Sequence, residues 1–233
     1  MSEASGHQGF VIAVGGLRAE ARIAARSAGV RTVAGGGGAR RLGGLIQEQI
    51  ARGGRAIISF GIAAGLAPGL DAGTCVVASE VVSESDRTRY AVTRRWTAAL
   101  RSQLAKAEYA PIAGVARALV EPAEKLALHG RTQAVAADME SHIAAELAAR
   151  HNLPFAVLRV IADPVERPLP PAALVGLRQD GEIDVGAVLA SLARNPTQLR
   201  GLMGLAFDTR RAFAALLRCS DLLGPRLGLG DLG

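Results

Sequence analysis

Three acidic residues occupy positions in the sequence where a carboxyl group could act as an acid or a base. Asp163 closes the eight-residue, mostly apolar segment 155–162, Glu140 begins a predicted helix, and Glu20 lies one turn into another. Pattern alone favours ordinary roles: Asp163 caps a turn, Glu140 benefits from the helix dipole, and Glu20 faces solvent. The alternative for Asp163 is a place in a cleft at the end of a buried strand, where proton transfer would be its role.

Glycine clusters beside arginines offer a second kind of chemistry, the binding of anions by backbone N–H groups. Three such clusters follow predicted strands: Gly15 and Gly16 with Arg18, Gly35 to Gly38 with Arg40 and Arg41, and the loop that contains Gly61, Ala64 and Gly65. None has the GxGxxG spacing of a dinucleotide fingerprint or the Lys-Ser/Thr pair of a Walker loop. The clusters could bind phosphate, or they could be simple turns in a chain with 28 glycines.

The elements that must position these residues alternate between strands and helices. Apolar runs predict strands at 10–14, 30–33, 56–60, 74–82, 133–137 and 155–161, and helical spacing predicts helices at 17–28, 42–51, 94–107, 140–150, 186–194 and 198–218. This order predicts a three-layer α/β/α fold around a twisted, mixed, mostly parallel sheet. We expect a single domain over residues 1–233, with a proline-rich segment at 164–171 and a C-terminal helical extension at 186–233.

Composition narrows the function classes. The net charge of +6 rests on 25 arginines and two lysines, but aromatics make up only 3%, too few to stack bases, so nucleic acid is not an expected partner. The longest uncharged stretch, 56–70, is too short and too broken by glycine and proline to span a bilayer, and no basic leader precedes the run 10–14. These features favour a cytoplasmic protein. Cys75 and Cys219 stand in no CxxC and near no histidine, so neither a metal site nor a disulfide framework is expected.

Three segments together resemble a known family. They are VIAVGGLRAE (11–20), GIAAGL (61–66), and ADMES (137–141) followed by LRVIAD (158–163). In this order they are similar to the purine nucleoside phosphorylase and methylthioadenosine/adenosylhomocysteine nucleosidase superfamily, over most of the core of the chain. Residues 163–181 and 195–200 further resemble the subgroup called hopanoid-associated phosphorylases. The resemblance implies a nucleoside phosphorylase-like fold and an enzyme that cleaves an N-glycosidic bond.

The resemblance also assigns roles to individual residues. Asp163 would protonate or hydrogen-bond N7 of a purine, Glu140 would bind the ribose hydroxyls, and Met139 would pack against the sugar. Such a reaction passes through a cation-like ribosyl centre, so it needs a proton for the leaving base and a stabilised, aligned sugar.

The nucleophile stays open between water and phosphate. By similarity to the nucleosidases, Glu20 falls on the carboxylate that activates water. By similarity to the phosphorylases, Arg18 falls on an arginine that binds phosphate, with Arg40 or Arg41 and the N–H groups of the glycine clusters as further donors. Against phosphate, the apolar Ile62 stands where phosphorylases have a polar side chain. The two interpretations are nearly even, and phosphorolysis is kept as the leading expectation because the family implies it. Inorganic phosphate is then the co-substrate, and no other cofactor is implied.

The subgroup implies adenosylhopane as substrate in hopanoid biosynthesis, with release of adenine. Residues 114–125 contain no aromatic to cover a purine, which suits a wide, apolar mouth. One alternative is hydrolysis of methylthioadenosine or adenosylhomocysteine, and another is a non-catalytic nucleoside or lipid carrier. The family also implies a homo-oligomer.

Apolar residues recur at three- and four-residue spacing over 199–217, with arginines among them. This pattern predicts a helix packed on the core. The alternative is a basic amphipathic helix that lies on the inner face of a membrane.

Overall fold

The computed structural model describes residues 9–35, 38–175, 182 and 184–230 of the 233-residue chain. The strands are β1 (Phe10–Gly15), β2 (Val30–Ala34), β3 (Gly54–Gly65), β4 (Cys75–Ser83), β5 (Arg89–Ala91), β6 (Glu108–Gly114), β7 (Ala136–Asp138) and β8 (Phe155–Asp163). The helices are α1 (Arg18–Ala24), α2 (Ala39–Ala51), α3 (Arg94–Gln103), α4 (Pro122–Thr132), α5 (Ser141–Arg150), α6 (Pro171–Val175), α7 (Val185–Arg194) and α8 (Leu199–Leu223). The predicted mixed α/β fold is confirmed. Among these helices, none combines the length and hydropathy needed to cross a bilayer.

The sheet is mixed and closes on itself. Strands β2, β1, β3 and β8 run parallel to one another, and β8 then pairs antiparallel with β4. From β4 the sheet continues through β6 to β7, which pairs antiparallel with the end of β3. Because β3 is 12 residues long, it can pair with β1 along its first half and with β7 at its tip. Strands β3, β8, β4, β6 and β7 therefore form a closed ring.

Helices cover both faces of the sheet because its strands are apolar on both sides. In β1, Ile12 and Val14 pack in one core cluster with residues of α2 and α5. The alternate residues, Val11 and Ala13, pack in a second cluster with residues of α1, α3 and α8. Since successive side chains of a strand point to opposite faces, one continuous apolar run supplies both cores.

The sequence did not predict helix α4. It packs over a third apolar cluster with Leu66, Ala113 and Ala137. The predicted strand 133–137 begins only at Ala136, because α4 extends to Thr132.

The prediction that Gly61, Ala64 and Gly65 form a loop is wrong. All three lie in the second half of β3, where β8 and β7 hydrogen-bond to it. Gly36 and Gly37 of the predicted glycine loop, and residues 176–181 of the segment that resembles the hopanoid subgroup, lie outside the described residues.

Candidate active site

Glu20 is buried, although its place one turn into α1 suggested a solvent-facing side chain. Only 2% of the residue is exposed. The N–H groups of Gly16 and Leu17 donate to Oε2 at 2.7 and 2.8 Å, and the N–H of Ile62 donates to Oε1 at 2.8 Å. The carboxyl group of Glu20 therefore connects the turn after β1 to the backbone of β3. Three of its roughly four acceptor positions are filled.

A buried arginine stands at the centre of the acidic residues. Arg159 lies in the middle of β8 and is fully buried. Its Nε is 3.0 Å from Asp138 Oδ2, its Nη2 is 3.2 Å from Glu140 Oε2, and its Nη2 donates to Ser59 Oγ at 2.6 Å. One guanidinium therefore faces two carboxyl groups, which supply the opposite charge that a buried cation needs.

Asp138 holds this arrangement in place from the end of β7. The N–H groups of Glu140 and Ser141 donate to its Oδ1 at 2.8 and 2.6 Å. Asp138 therefore caps the N-terminus of α5 while its other oxygen faces Arg159. This double contact fixes where Glu140, the residue just before α5, directs its side chain.

Arg159 acts on the pKa values of both Glu140 and Glu20. Burial raises the pKa of Glu140 to about 8, a rise that Arg159 opposes and that Asp138 and Glu20 reinforce. Burial also raises the pKa of Glu20, again opposed by Arg159. A pKa raised in this way favours the protonated form of Glu140 at neutral pH, and a protonated carboxyl group can donate as well as accept a hydrogen bond.

Glycines let the backbone approach these carboxyl groups. A Cβ added at Gly16 would lie 2.6 Å from Glu140 Oε1, and one added at Gly15 would lie 2.8 Å from Glu20 Oε2. A Cβ at Gly61 would lie 2.4 Å from Glu20 Oε1. The structure thus brings five of the predicted site residues together around Arg159. We call this group the Arg159 cluster; its members are Arg159, Gly15, Gly16, Glu20, Gly61 and Glu140.

Asp163 lies in a second cluster, which we call the Asp163 pair. Its Oδ2 accepts a hydrogen bond from Lys125 Nζ at 2.6 Å. Lys125, on α4, is fully buried and also donates to the carbonyl oxygens of Pro164 and Arg167 at 3.2 and 2.9 Å. Burial raises the pKa of Asp163, and Lys125 opposes that rise.

The chain bends where Asp163 leaves β8. Ile161 pairs with Ala63 and Asp163 pairs with Ala64, so Ala162 is an extra residue in the strand. Such a bulge redirects the side chain that follows it, here toward α4. On the other side of Ala64 lies Ala137 of β7, one residue before Asp138. Asp163 and Ala137 are therefore two strand spacings apart, about 10 Å between backbones.

The remaining predicted residues lie elsewhere. Met139 is partly buried and packs against the apolar cluster beneath α4. Arg18 is exposed and pairs with Glu182 at 2.5 Å. Arg40 and Arg41 are exposed at the start of α2, where Arg41 donates to the carbonyl of Gly35 at 3.3 Å. The guanidinium that opposes the rise in the pKa of Glu20 belongs to Arg159.

Sequence reasoning missed Arg159 and Lys125. A signal for Arg159 was present, since a single charge in the middle of a strand buried on both faces needs a buried partner. Lys125 is one of only two lysines against 25 arginines, but nothing in the sequence pairs it with Asp163. Within the described part of the chain, no group of three or more His, Cys, Asp or Glu side chains could hold a metal ion.

Comparison with protein families assigns the class. The family model described as "Phosphorylase superfamily" matches residues 45–194, more than half of the chain. The protein belongs to the phosphorylase superfamily. A search of curated protein sequences gives no significant match.

Solved structures with the same fold include nucleosidases and a futalosine hydrolase of low sequence identity. A 5′-methylthioadenosine/S-adenosylhomocysteine nucleosidase from Neisseria meningitidis, in complex with methylthio-immucillin-A, superposes with a TM-score of 0.65 at 15% identity, over 92% of this chain and 98% of that one. The Helicobacter pylori enzyme with butyl-thio-DADMe-Immucillin-A gives 0.63 at 13% identity, over 90% and 97%. Futalosine hydrolase of H. pylori gives 0.62 at 15% identity, over 88% and 100%.

Proposed function

We propose that the protein cleaves the N-glycosidic bond of an adenosine-type nucleoside and releases adenine. The observation that carries this proposal is the placement of three buried carboxyl groups, Glu20, Glu140 and Asp163, around the ends of β1, β7 and β8. Buried acids with raised pKa values are expensive to maintain, and a fold that only needed stability would not require three of them.

The two clusters suit the two halves of a nucleoside. Glu140, protonated at neutral pH and held over Gly16, is assigned to the ribose hydroxyls. Asp163 is assigned to N7 of the base. Burial raises the pKa of Asp163 and the Lys125 ion pair opposes that rise, so we assign to Asp163 the uptake of a proton and its transfer to the departing base, while Lys125 fixes one of its oxygens. The gap of about 10 Å between the two strands is then spanned by the ligand.

Water fits the Arg159 cluster better than phosphate does. Arg159 faces Asp138, Glu140 and Glu20, so the cluster is negative or neutral before any ligand enters. A phosphate ion would add further negative charge beside Glu20, and like charges at this distance in a buried site are strongly unfavourable. Glu20 has about one acceptor position left, which is enough to orient and activate one water molecule. We therefore assign hydrolysis to the protein, with phosphorolysis as the alternative.

The test identifies the sugar product that is formed when the base is released. The protein is incubated with adenosine, methylthioadenosine, adenosylhomocysteine and adenosylhopane in ¹⁸O-labelled water, with and without phosphate, and both products are measured by mass spectrometry. Hydrolysis predicts adenine and a sugar that carries one ¹⁸O, at a rate independent of phosphate. A sugar phosphate formed only with phosphate would assign phosphorolysis. No adenine from any nucleoside would leave a nucleoside or lipid carrier as the function.

Among these substrates we favour adenosylhopane, because apolar side chains stand beside the site. The N-terminal half of α8 packs against the segment that follows Asp163: a Cβ at Gly201 would lie 3.1 Å from Pro170, and one at Gly204 would lie 3.3 Å from Arg167. On this half, Leu199, Met203 and Phe207 are 49%, 65% and 63% exposed. Their four-residue spacing places them in one row, which we call the α8 row. A lipid at the 5′ carbon would find an apolar surface here.

The same row supports contact with the inner face of a membrane. Arg200, Arg210 and Arg211 are exposed on the same helix, and exposed cations beside an apolar row suit an anionic bilayer. The test variant is the double substitution Met203→Glu/Phe207→Glu in the α8 row. The control is Leu222→Glu, at a leucine that is 63% exposed at the other end of α8. We expect the wild type and Leu222→Glu to float with phosphatidylglycerol vesicles, and the double variant to stay in solution. Equal recovery of all three in solution would refute the contact, and self-association through the row would identify a homo-oligomer interface instead.

A further inference from the structure

The two cysteines of the chain, distant in sequence, meet in the structure. Cys75 and Cys219 are 144 residues apart, and their Sγ atoms are 2.9 Å from each other. Both are free thiols. A disulfide bond is about 2.0 Å long, so the two sulfur atoms need to approach by only about 0.9 Å to form one.

The packing of α8 on the sheet holds the two thiols close together. Cys219 is 4% exposed and lies on the face of α8 that also buries Ala212, Ala215 and Leu216. Cys75 is the first residue of β4 and pairs with Val160 of β8. Two features therefore hold the sulfur atoms in place, the apolar face of a long helix and the central strands of the sheet.

A second contact shows that α8 also lies against the residues just before β4. A Cβ at Gly73, two residues before Cys75, would lie 3.7 Å from the carbonyl oxygen of Arg211. Arg211 is about two turns of α8 before Cys219. The meeting of the thiols is thus part of a continuous helix-to-strand contact.

We propose that Cys75 and Cys219 form a reversible disulfide that fastens α8 to β4. The oxidant is a low-molecular-weight disulfide such as oxidised glutathione. The Cys75 thiolate attacks one of its sulfur atoms, releases one glutathione thiolate and forms a mixed disulfide. Cys219 then loses its proton and displaces the second glutathione from Cys75. Two protein thiols are oxidised, one glutathione disulfide is reduced to two thiols, and both protons end on glutathione.

The surroundings make Cys75 the attacking residue. Cys75 is half-buried, whereas Cys219 is buried. The hydrogen bond from Cys219 lowers the pKa of the Cys75 thiol, and Arg218 acts in the same direction. The same hydrogen bond raises the pKa of Cys219. An attacking thiol needs both access and thiolate character, and Cys75 has more of each.

The bond would tie the helix that borders the candidate site. Asp208, on α8 and 3% exposed, forms an ion pair with Arg167, whose carbonyl accepts a hydrogen bond from Lys125. The Asp163 pair therefore depends on where α8 lies. Closing a loop of this length restricts the unfolded chain, so we expect the disulfide to raise the Tm by about 10 °C.

The experiment uses the full chain, incubated with oxidised glutathione at pH 8 and then analysed by intact-mass and non-reducing peptide mass spectrometry. We expect the loss of about 2 Da, a cross-linked peptide pair that carries Cys75 and Cys219, a raised Tm, and reversal by dithiothreitol. Cys75→Ser and Cys219→Ser are the controls, and neither should form the cross-link or show the rise in Tm. Unreacted thiols, stable glutathione adducts or disulfide-linked dimers of the wild type under the same conditions would overturn the proposal, and this result does not depend on whether either variant folds.

Discussion

Replacing Glu140 by glutamine should change how the stability of the protein depends on pH. In the folded wild type, burial keeps a proton on Glu140 up to about pH 8. In the unfolded chain, a glutamate releases that proton near its ordinary pKa of 4.5. Unfolding between these values therefore releases one proton, and the free energy of unfolding falls as the pH rises, by up to about 1.4 kcal/mol per pH unit.

The expected size follows from the two pKa values. Between pH 6 and pH 8, Glu140 should remove about 2 kcal/mol from the free energy of unfolding of the wild type. Glutamine cannot titrate, so the Glu140→Gln variant lacks this loss. Other buried groups titrate in both proteins, and the difference between the two curves isolates Glu140.

Urea unfolding at pH 6, 7 and 8 measures this difference. We expect the wild type to lose stability relative to the variant by about 2 kcal/mol over the two pH units. Exposed Glu48→Gln on α2 is the control and should follow the wild type. Parallel wild-type and Glu140→Gln curves would mean that Glu140 is ionised at neutral pH, and the protonated carboxyl assigned to the ribose would be refuted.

Two further substitutions test the clusters. Lys125→Met leaves the Asp163 carboxyl group buried without its cation and should lower the free energy of unfolding in urea by about 3–5 kcal/mol. The Lys125→Met/Asp163→Asn double variant should recover part of this loss. No recovery would mean that the two residues do not act as a pair. Gly16→Ala places a Cβ against Glu140 and should slow adenine release at least about tenfold, because a small displacement of a positioning group has a large effect on rate. The control is Gly43→Ala in α2, where the added Cβ has no neighbour within 4 Å. It should stabilise the protein by about 1 kcal/mol and leave the rate of adenine release unchanged. Equal rates for the two glycine variants would refute the close approach at Gly16.

The sequence was most informative where one residue type has one physical meaning. The apolar run 10–14 predicted a strand, and because the run is continuous its neighbours Val11 and Ile12 belong to different cores. For Gly15 and Gly16 the sequence left phosphate binding and a simple turn open. In the structure they lie at the end of β1, where the absence of a side chain lets Glu20 and Glu140 approach the backbone.

The site was harder to predict because its partners are distant in sequence. Glu20 on its helix has the pattern of a solvent-facing residue, and its burial depends on N–H groups that include Ile62, 42 residues away. Lys125 meets Asp163 across 38 residues, and only the position of α4, a helix the sequence did not reveal, brings them together. The glycines in the second half of β3 predicted a loop because glycines commonly mark turns, whereas Gly61 lies inside the strand and leaves room for the carboxyl group of Glu20.

The most direct test of the proposed function is the rate of adenine release by Asp163→Asn compared with the wild type. Asp86→Asn, at an exposed position, is the matched control, and circular dichroism confirms that each variant is folded. We expect Asp163→Asn to be about 10²–10⁴-fold slower and Asp86→Asn to match the wild type. A folded Asp163→Asn variant that releases adenine at the wild-type rate would contradict the assignment of Asp163 as the acid that protonates the base.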